Sequence, residues 1–202
     1  MSRKILVSAV VISLVLLQGC SSPSMTGTPA SAAPSSGGSS VVSAPKVSKV
    51  QNPLPASVVS KHPCDSALTD AQLTELLGMV PSARREDDPT GPVCGWQKTS
   101  TGATIGVGYL TNVSGGLSQV NDRQQGDAYY EALEVGGYPA LAYNSTETAP
   151  VSDCHVAVGI TDTVAYDVGF VVGGNRAGKQ DPCDVAKIVA QDVLENLKAA
   201  AR

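Results

Sequence analysis

The stretch Cys154-His155-Val156-Ala157-Val158-Gly159-Ile160-Thr161-Asp162-Thr163-Val164-Ala165-Tyr166-Asp167-Val168-Gly169-Phe170-Val171-Val172 decides the fold. Cys154, Val156, Val158 and Ile160 fall on one face of an extended chain, and Val164, Tyr166, Val168, Phe170 and Val172 fall on one face of the next run. A period of two with one apolar face describes a half-buried antiparallel hairpin. Thr161-Asp162-Thr163 supplies its turn. His155 alternates with Cys154, so it is expected on the outward face as a solvated residue.

Outward from this hairpin the same pattern recurs. Val93-Cys94-Gly95-Trp96-Gln97 places Cys94 and Trp96 on one face, and Ile105, Val107 and Tyr109 alternate with Thr104, Gly106 and Gly108. Thr101-Gly102 joins the two runs as a hairpin. Gly106-Val107-Gly108 lacks the third glycine and the following helix of a dinucleotide loop. Ala132–Val135 and Leu141–Tyr143 read as strands flanking the turn Gly136-Gly137-Tyr138-Pro139-Ala140. Leu117 to Tyr130 reads as a polar helix interrupted at Gly126.

Two helices bracket these strands. Thr69 is an N-cap with Gln72 as its capping-box partner, Leu68 and Leu73 take the staple positions, and Gly78 is the stop. The last helix opens at Asp181-Pro182-Cys183-Asp184, with Asp181 capping, Pro182 in the first turn and Asp184 favourable to the dipole. Val185, Ile188, Val189, Val193 and Leu197 form its apolar stripe. Arg84-Arg85-Glu86-Asp87-Asp88-Pro89 reads as a solvated loop. The expected fold is therefore α+β: a two-layer sandwich, an antiparallel sheet of five or six strands with the first and last helices on one face.

The ends of the 202-residue chain differ sharply. All 18 Asp and Glu but only 10 of the 14 Lys and Arg lie beyond residue 60, which leaves the domain near −8. Such a charge disfavours phosphate backbones, so nucleic acid is not an expected partner. Before it, Ser, Pro, Ala, Gly and Thr fill 28 of the 40 positions from 21 to 60, with no acidic residue and no apolar period. This composition predicts a disordered tether over 20–60 ahead of a globular domain over 61–202.

Arg3 and Lys4 precede an apolar run from Ile5 to Leu17, too short to span a bilayer and typical of an export signal. The following Leu17-Gln18-Gly19-Cys20 resembles the bacterial lipobox, apart from Gln18, which is not the usual small residue. The resemblance implies that residues 1–19 are a lipoprotein signal peptide and that Cys20 receives a diacylglycerol, anchoring the chain at the extracytoplasmic face of the plasma membrane.

Cys64, Cys94, Cys154 and Cys183 then remain as an even set in an exported protein, which favours two disulfides over a zinc site, whose ligands would cluster. Three pairings exist. Cys64–Cys94 and Cys154–Cys183 are favoured, because each joins a helix start to the strand face that the helix should cover.

Catalytic signatures are weak. Ser43-Ala44-Pro45-Lys46 and Lys98-Thr99-Ser100 echo penicillin-binding motifs, but Ser43 lies in the tether. His62 and His155 are the two histidines, and neither sits beside a nucleophile motif. Asp87 and Asp88 lack the further oxygen ligands of a calcium site. Asn112-Val113-Ser114 and Asn144-Ser145-Thr146 match sequons by chance. No catalytic residue, metal or cofactor is expected.

Five features recur in order: Pro63-Cys64 before a Leu-rich helix ending at Gly78, Cys94-Gly95-Trp96 on a strand, Gly137-Tyr138-Pro139-Ala140, Cys154-x-Val156-x-Val158, and Asp181-Pro182-Cys183 opening the last helix. With the lipobox, residues 62–200 resemble a domain of unknown function carried by actinobacterial, mycobacterial-type lipoproteins. The resemblance implies an envelope-anchored domain of mixed structure and brings no activity. The expected role is a non-catalytic binding or accessory module for a protein, glycan or lipid of the envelope. The alternative is an envelope hydrolase whose site the sequence hides.

Overall fold

The computed structural model describes residues 47–202. The expected export signal, Cys20, the expected tether up to Lys46 and the Ser43–Lys46 motif lie outside the described residues.

Seven strands form one antiparallel sheet: β1 (Ala83–Asp88), β2 (Gly91–Lys98), β3 (Ala103–Tyr109), β4 (Tyr129–Val135), β5 (Tyr138–Asn144), β6 (Asp153–Gly159) and β7 (Ala165–Val171). Their spatial order is β1-β2-β3-β7-β6-β5-β4. The helices are α1 (Pro63–Ser66), α2 (Asp70–Leu77), α3 (Gly116–Gln124) and α4 (Pro182–Ala200). The fold is α+β, with seven strands where five or six were expected. The extra strand is β1, the segment expected as a loop. All six of its residues are exposed on both faces, so it shows no alternation to read. Charges on an edge strand also discourage pairing with another chain.

One face of the sheet carries the main core. Cys94, Val107, Val168, Val156 and Ala142 are buried and align strand to strand across it. The helices α1 and α4 lie against this face. Leu68, Leu73 and Leu77 join the same core, and Asn196 Nδ2 of α4 donates to the Ala67 carbonyl at 2.9 Å and to Gln72 Oε1 at 2.8 Å. The capping box at Thr69 and Gln72 forms, and Gly78 ends α2 in the left-handed region at φ 73°. Asp181 caps α4 through the amides of Cys183 and Asp184. Ile188 departs from the expected stripe and is 56% exposed. Ala186 and Ala190 take its place in the buried arc, which lets α4 sit close to the sheet. The Tyr166 hydroxyl donates to the Ala190 carbonyl at 2.7 Å across that contact.

The opposite face is partly covered, which the two-layer expectation did not include. α3 lies over β5 and β6, and Leu117 and Val120 bury a smaller cluster with Leu110, Val113, Leu141, Ala157 and Ala165. Gly116 makes this possible: its φ is 51°, and a Cβ there would lie 2.8 Å from the Thr163 backbone.

The domain also begins earlier than expected. Val58 and Val59, placed in the tether by composition, are buried in the main core. The Leu54 amide donates to the Ile160 carbonyl at 3.0 Å, and Tyr138 donates to the Asn52 carbonyl at 2.7 Å. Burying two valines stabilises by roughly 3–6 kcal/mol in total, which offsets the backbone ordering cost of about three residues.

Candidate functional site

The hairpin register places His155 opposite Gly169 on β7 and opposite Tyr143 on β5. All three side-chain positions face away from α4. Asp167, two residues before Gly169, is the diagonal neighbour of His155. His155 Nδ1 and Asp167 Oδ2 are 2.9 Å apart. The Tyr143 hydroxyl donates to Asp167 Oδ1 at 2.7 Å. The Tyr143 and His155 rings stack, with centroids 5.3 Å apart and planes 20° from parallel.

Electrostatics follow from this geometry. The Asp167 carboxylate raises the His155 pKa above 6.5; partial burial opposes the shift, and Asp153 and Asp127 add to it at longer range. Burial, reinforced by Asp167, pushes the Tyr143 hydroxyl well above its usual range.

Between this cluster and α3 lies a cleft of about 340 Å³. Leu110, Val113 and Val120 supply an apolar wall, while Arg123, Asp127, Asp153, His155 and Asp167 supply a charged one. Asp127 Oδ2 is buried and has no hydrogen-bond partner among the described residues. Such an atom carries a desolvation cost until a donor reaches it.

The rim is rigid. Asn144, buried at the end of β5, donates through Nδ2 to the Asp153 carbonyl at 2.9 Å and accepts through Oδ1 from the amides of Thr146 and Glu147, each at 2.8 Å. This side chain is fully committed, so the sequon at Asn144 is inaccessible to a glycan.

The other sequence candidates have structural roles. His62 caps α1, accepting through Nδ1 from the Cys64 amide at 3.2 Å. Asp88 accepts from the Thr90 amide at 3.0 Å and shapes the turn after β1. Disulfides join Cys64 to Cys94 and Cys154 to Cys183, each from a helix start to a strand of the covered face. Among the described residues, no group of three His, Cys, Asp or Glu could hold a metal ion, and no helix is long and apolar enough to cross a membrane.

Residues 15–196 match the family described as "Protein of unknown function (DUF3558)". The chain belongs to this family. No curated protein and no solved structure matches it.

In this DUF3558 domain, sequence reading placed His155 on the correct, outward face, where its side chain remains 43% exposed. It did not show that Asp167 and Tyr143 hold the ring there. This omission has a physical cause. Alternation reports which side of the sheet a residue takes, not whether another element covers that side. Asp167 was legible as a partner, since it shares the parity of His155 in a hairpin of known turn. Asp127 and Arg123 were not, because their place depends on how α3 docks.

Proposed function

We propose that this DUF3558 chain is an actinobacterial envelope lipoprotein, anchored through Cys20 at the outer face of the plasma membrane. Its domain is a non-catalytic binding module whose ligand occupies the cleft between α3 and the β5–β7 face. The anchor rests on the basic head, the short apolar run and Leu-Gln-Gly-Cys20. The acidic balance of the domain argues for envelope material other than nucleic acid.

The observation that carries the binding reading is the cleft itself. It pairs an apolar wall with a buried acceptor, Asp127 Oδ2, that the protein leaves unpartnered. A ligand donor at that point recovers a hydrogen bond the free protein forgoes, and the wall adds apolar burial.

One observation favours the second reading, a hydrolase. His155 is oriented through Nδ1 by a carboxylate, as a general base is. Against it, Asp167 keeps the imidazole protonated to higher pH, and among the described residues no hydroxyl or thiol is hydrogen-bonded to the ring.

Two variants test the proposal. Cys20→Ala should shift the chain to the medium or to an unprocessed precursor; unchanged membrane retention and processing would refute the anchor. Asp127→Leu in the full chain should reduce retention of envelope material at least tenfold without unfolding the domain. Wild-type retention would refute the cleft. Turnover of envelope material that His155→Gln abolishes while binding persists would establish the hydrolase.

A further inference from the structure

Beyond the His155 end of the cleft, the sheet face away from α4 carries a row of small residues. Strand pairing aligns Arg84, Gly95, Gly106, Gly169, His155 and Tyr143 in one row on the face away from α4. Three consecutive strands thus contribute glycine at the same level. From Gly95 to His155 the row covers three strand spacings, about 14 Å.

Glycine in a strand interior weakens the strand and needs a reason. Gly169 has one inside the protein: a Cβ there would lie 3.0 Å from His155 Cε1. Gly95 and Gly106 have none. A Cβ at Gly106 would meet only the Gly169 carbonyl oxygen, at 3.9 Å, and one at Gly95 would meet only Arg84 Nε, also at 3.9 Å. Neither residue has a φ in the left-handed region. The space above them is open, and a second cavity of about 470 Å³ lies at the Gly95 end beside the exposed Met79 and Val80. The remaining reason for a strand glycine is close approach of something from outside.

We propose that this row is a binding groove for an unbranched, uncharged pyranose glycan, running from the Arg84 end to the His155–Tyr143 stack. The proposal rests on the reading of the cleft as the ligand site and extends that site across the sheet. The floor explains the ligand class. Backbone N–H and C=O groups of inner strands are spent on neighbouring strands, so the floor is flat and offers no free donors or acceptors. A ligand lying on it must present C–H faces downward and polar groups at its rim, as a pyranose ring does. Gln97 and Thr104 stand on one flank of the row, in register with each other, and both are polar and uncharged. Charge enters this face at the ends: Arg84, ion-paired to Glu86 at 3.2 Å, at one, and Asp153, His155 and Asp167 at the other, while the β2 and β3 residues between them are uncharged. An extended peptide would instead seek the unpaired groups of a sheet edge.

The test uses the full chain purified in detergent and neutral oligomers of β-linked glucose, β-linked N-acetylglucosamine and α-linked mannose as probes. At least one oligomer should bind and shift the amide resonances of Gly95, Gly106 and Gly169. Gly106→Val and Gly95→Val should each weaken that binding at least tenfold while leaving the melting temperature equal or higher, since a β-branched residue suits a strand with open space above it. Ile188→Ser, on the opposite side, should leave binding unchanged. Binding of none of the oligomers, or wild-type binding by both glycine variants, overturns the groove, as does binding only to anionic lipid vesicles. If envelope retention is lost in Asp127→Leu but kept in Gly106→Val, the groove falls and the cleft stands. If both variants retain envelope material, both fall.

Discussion

The imidazole of His155 lies against the backbone of Gly169, directly opposite it across the β6–β7 ladder. A methyl group at residue 169 would sit 3.0 Å from His155 Cε1 and 3.4 Å from Nδ1. Gly169→Ala should therefore push the ring off Asp167 rather than disrupt the ladder. The expected outcome is a folded protein, destabilised by about 1 kcal/mol, in which the His155 pKa falls back toward 6.5. A histidine NMR titration of the variant checks this, and an unchanged titration midpoint would show that Gly169 does not set the ring position.

The same pair predicts how stability depends on pH. Asp167 raises the folded-state pKa of His155 above its ordinary 6.5, with Asp153 and Asp127 acting in the same sense and burial opposing. The folded state therefore holds the proton more tightly. The associated stability is fully present below pH 6.5 and is lost as pH rises through the raised value. Because the side chain is 43% exposed, the loss should stay under about 1 kcal/mol. Urea denaturation across this window measures it, and His155→Gln should remove that part of the slope.

Asn144 ties the end of β5 to the start of β6 and to the following loop. Asn144→Ala leaves the Thr146 and Glu147 amides without their acceptor. The expected cost is about 2 kcal/mol, read as a lower denaturation midpoint. Asn144→Asp should recover only part of it, because Nδ2 also donates to Asp153 Oδ2 at 3.1 Å.

The fold was legible where a single side of an element is buried. The β6–β7 hairpin, the capping box at Thr69 and the cap at Asp181 all write their structure into local spacing. β1 was not legible, because Ala83–Asp88 is exposed on both faces and its pairing with β2 leaves no mark on residue order. Val58 and Val59 were hidden by the Ser- and Pro-rich composition around them, although burial there depends on two residues and not on the average. The candidate site was half legible. The outward parity of His155, Asp167 and Gly169 is local information, whereas Val120 of α3, and Val113 and Asp127 on either side of that helix, reach the cleft only through docking that is tertiary.

The two disulfides close loops of 30 and 29 residues. In the chain-entropy account each contributes about 3.5 kcal/mol. Cys154→Ala with Cys183→Ala should lower the melting temperature by roughly ten degrees or more, and the Cys64, Cys94 double variant should do the same. Non-reducing peptide mapping of the purified protein checks the pairing, and a Cys64–Cys183 peptide would contradict it.

The central claim is that the sheet face away from α4 meets the cell envelope. The most direct measurement is photo-crosslinking in living cells, with the crosslinking residue at Thr104 on the groove flank or at Ile188 on the opposite face. The account predicts envelope adducts from Thr104 and background labelling from Ile188. Equal labelling at both positions, or adducts from Ile188 alone, would contradict it.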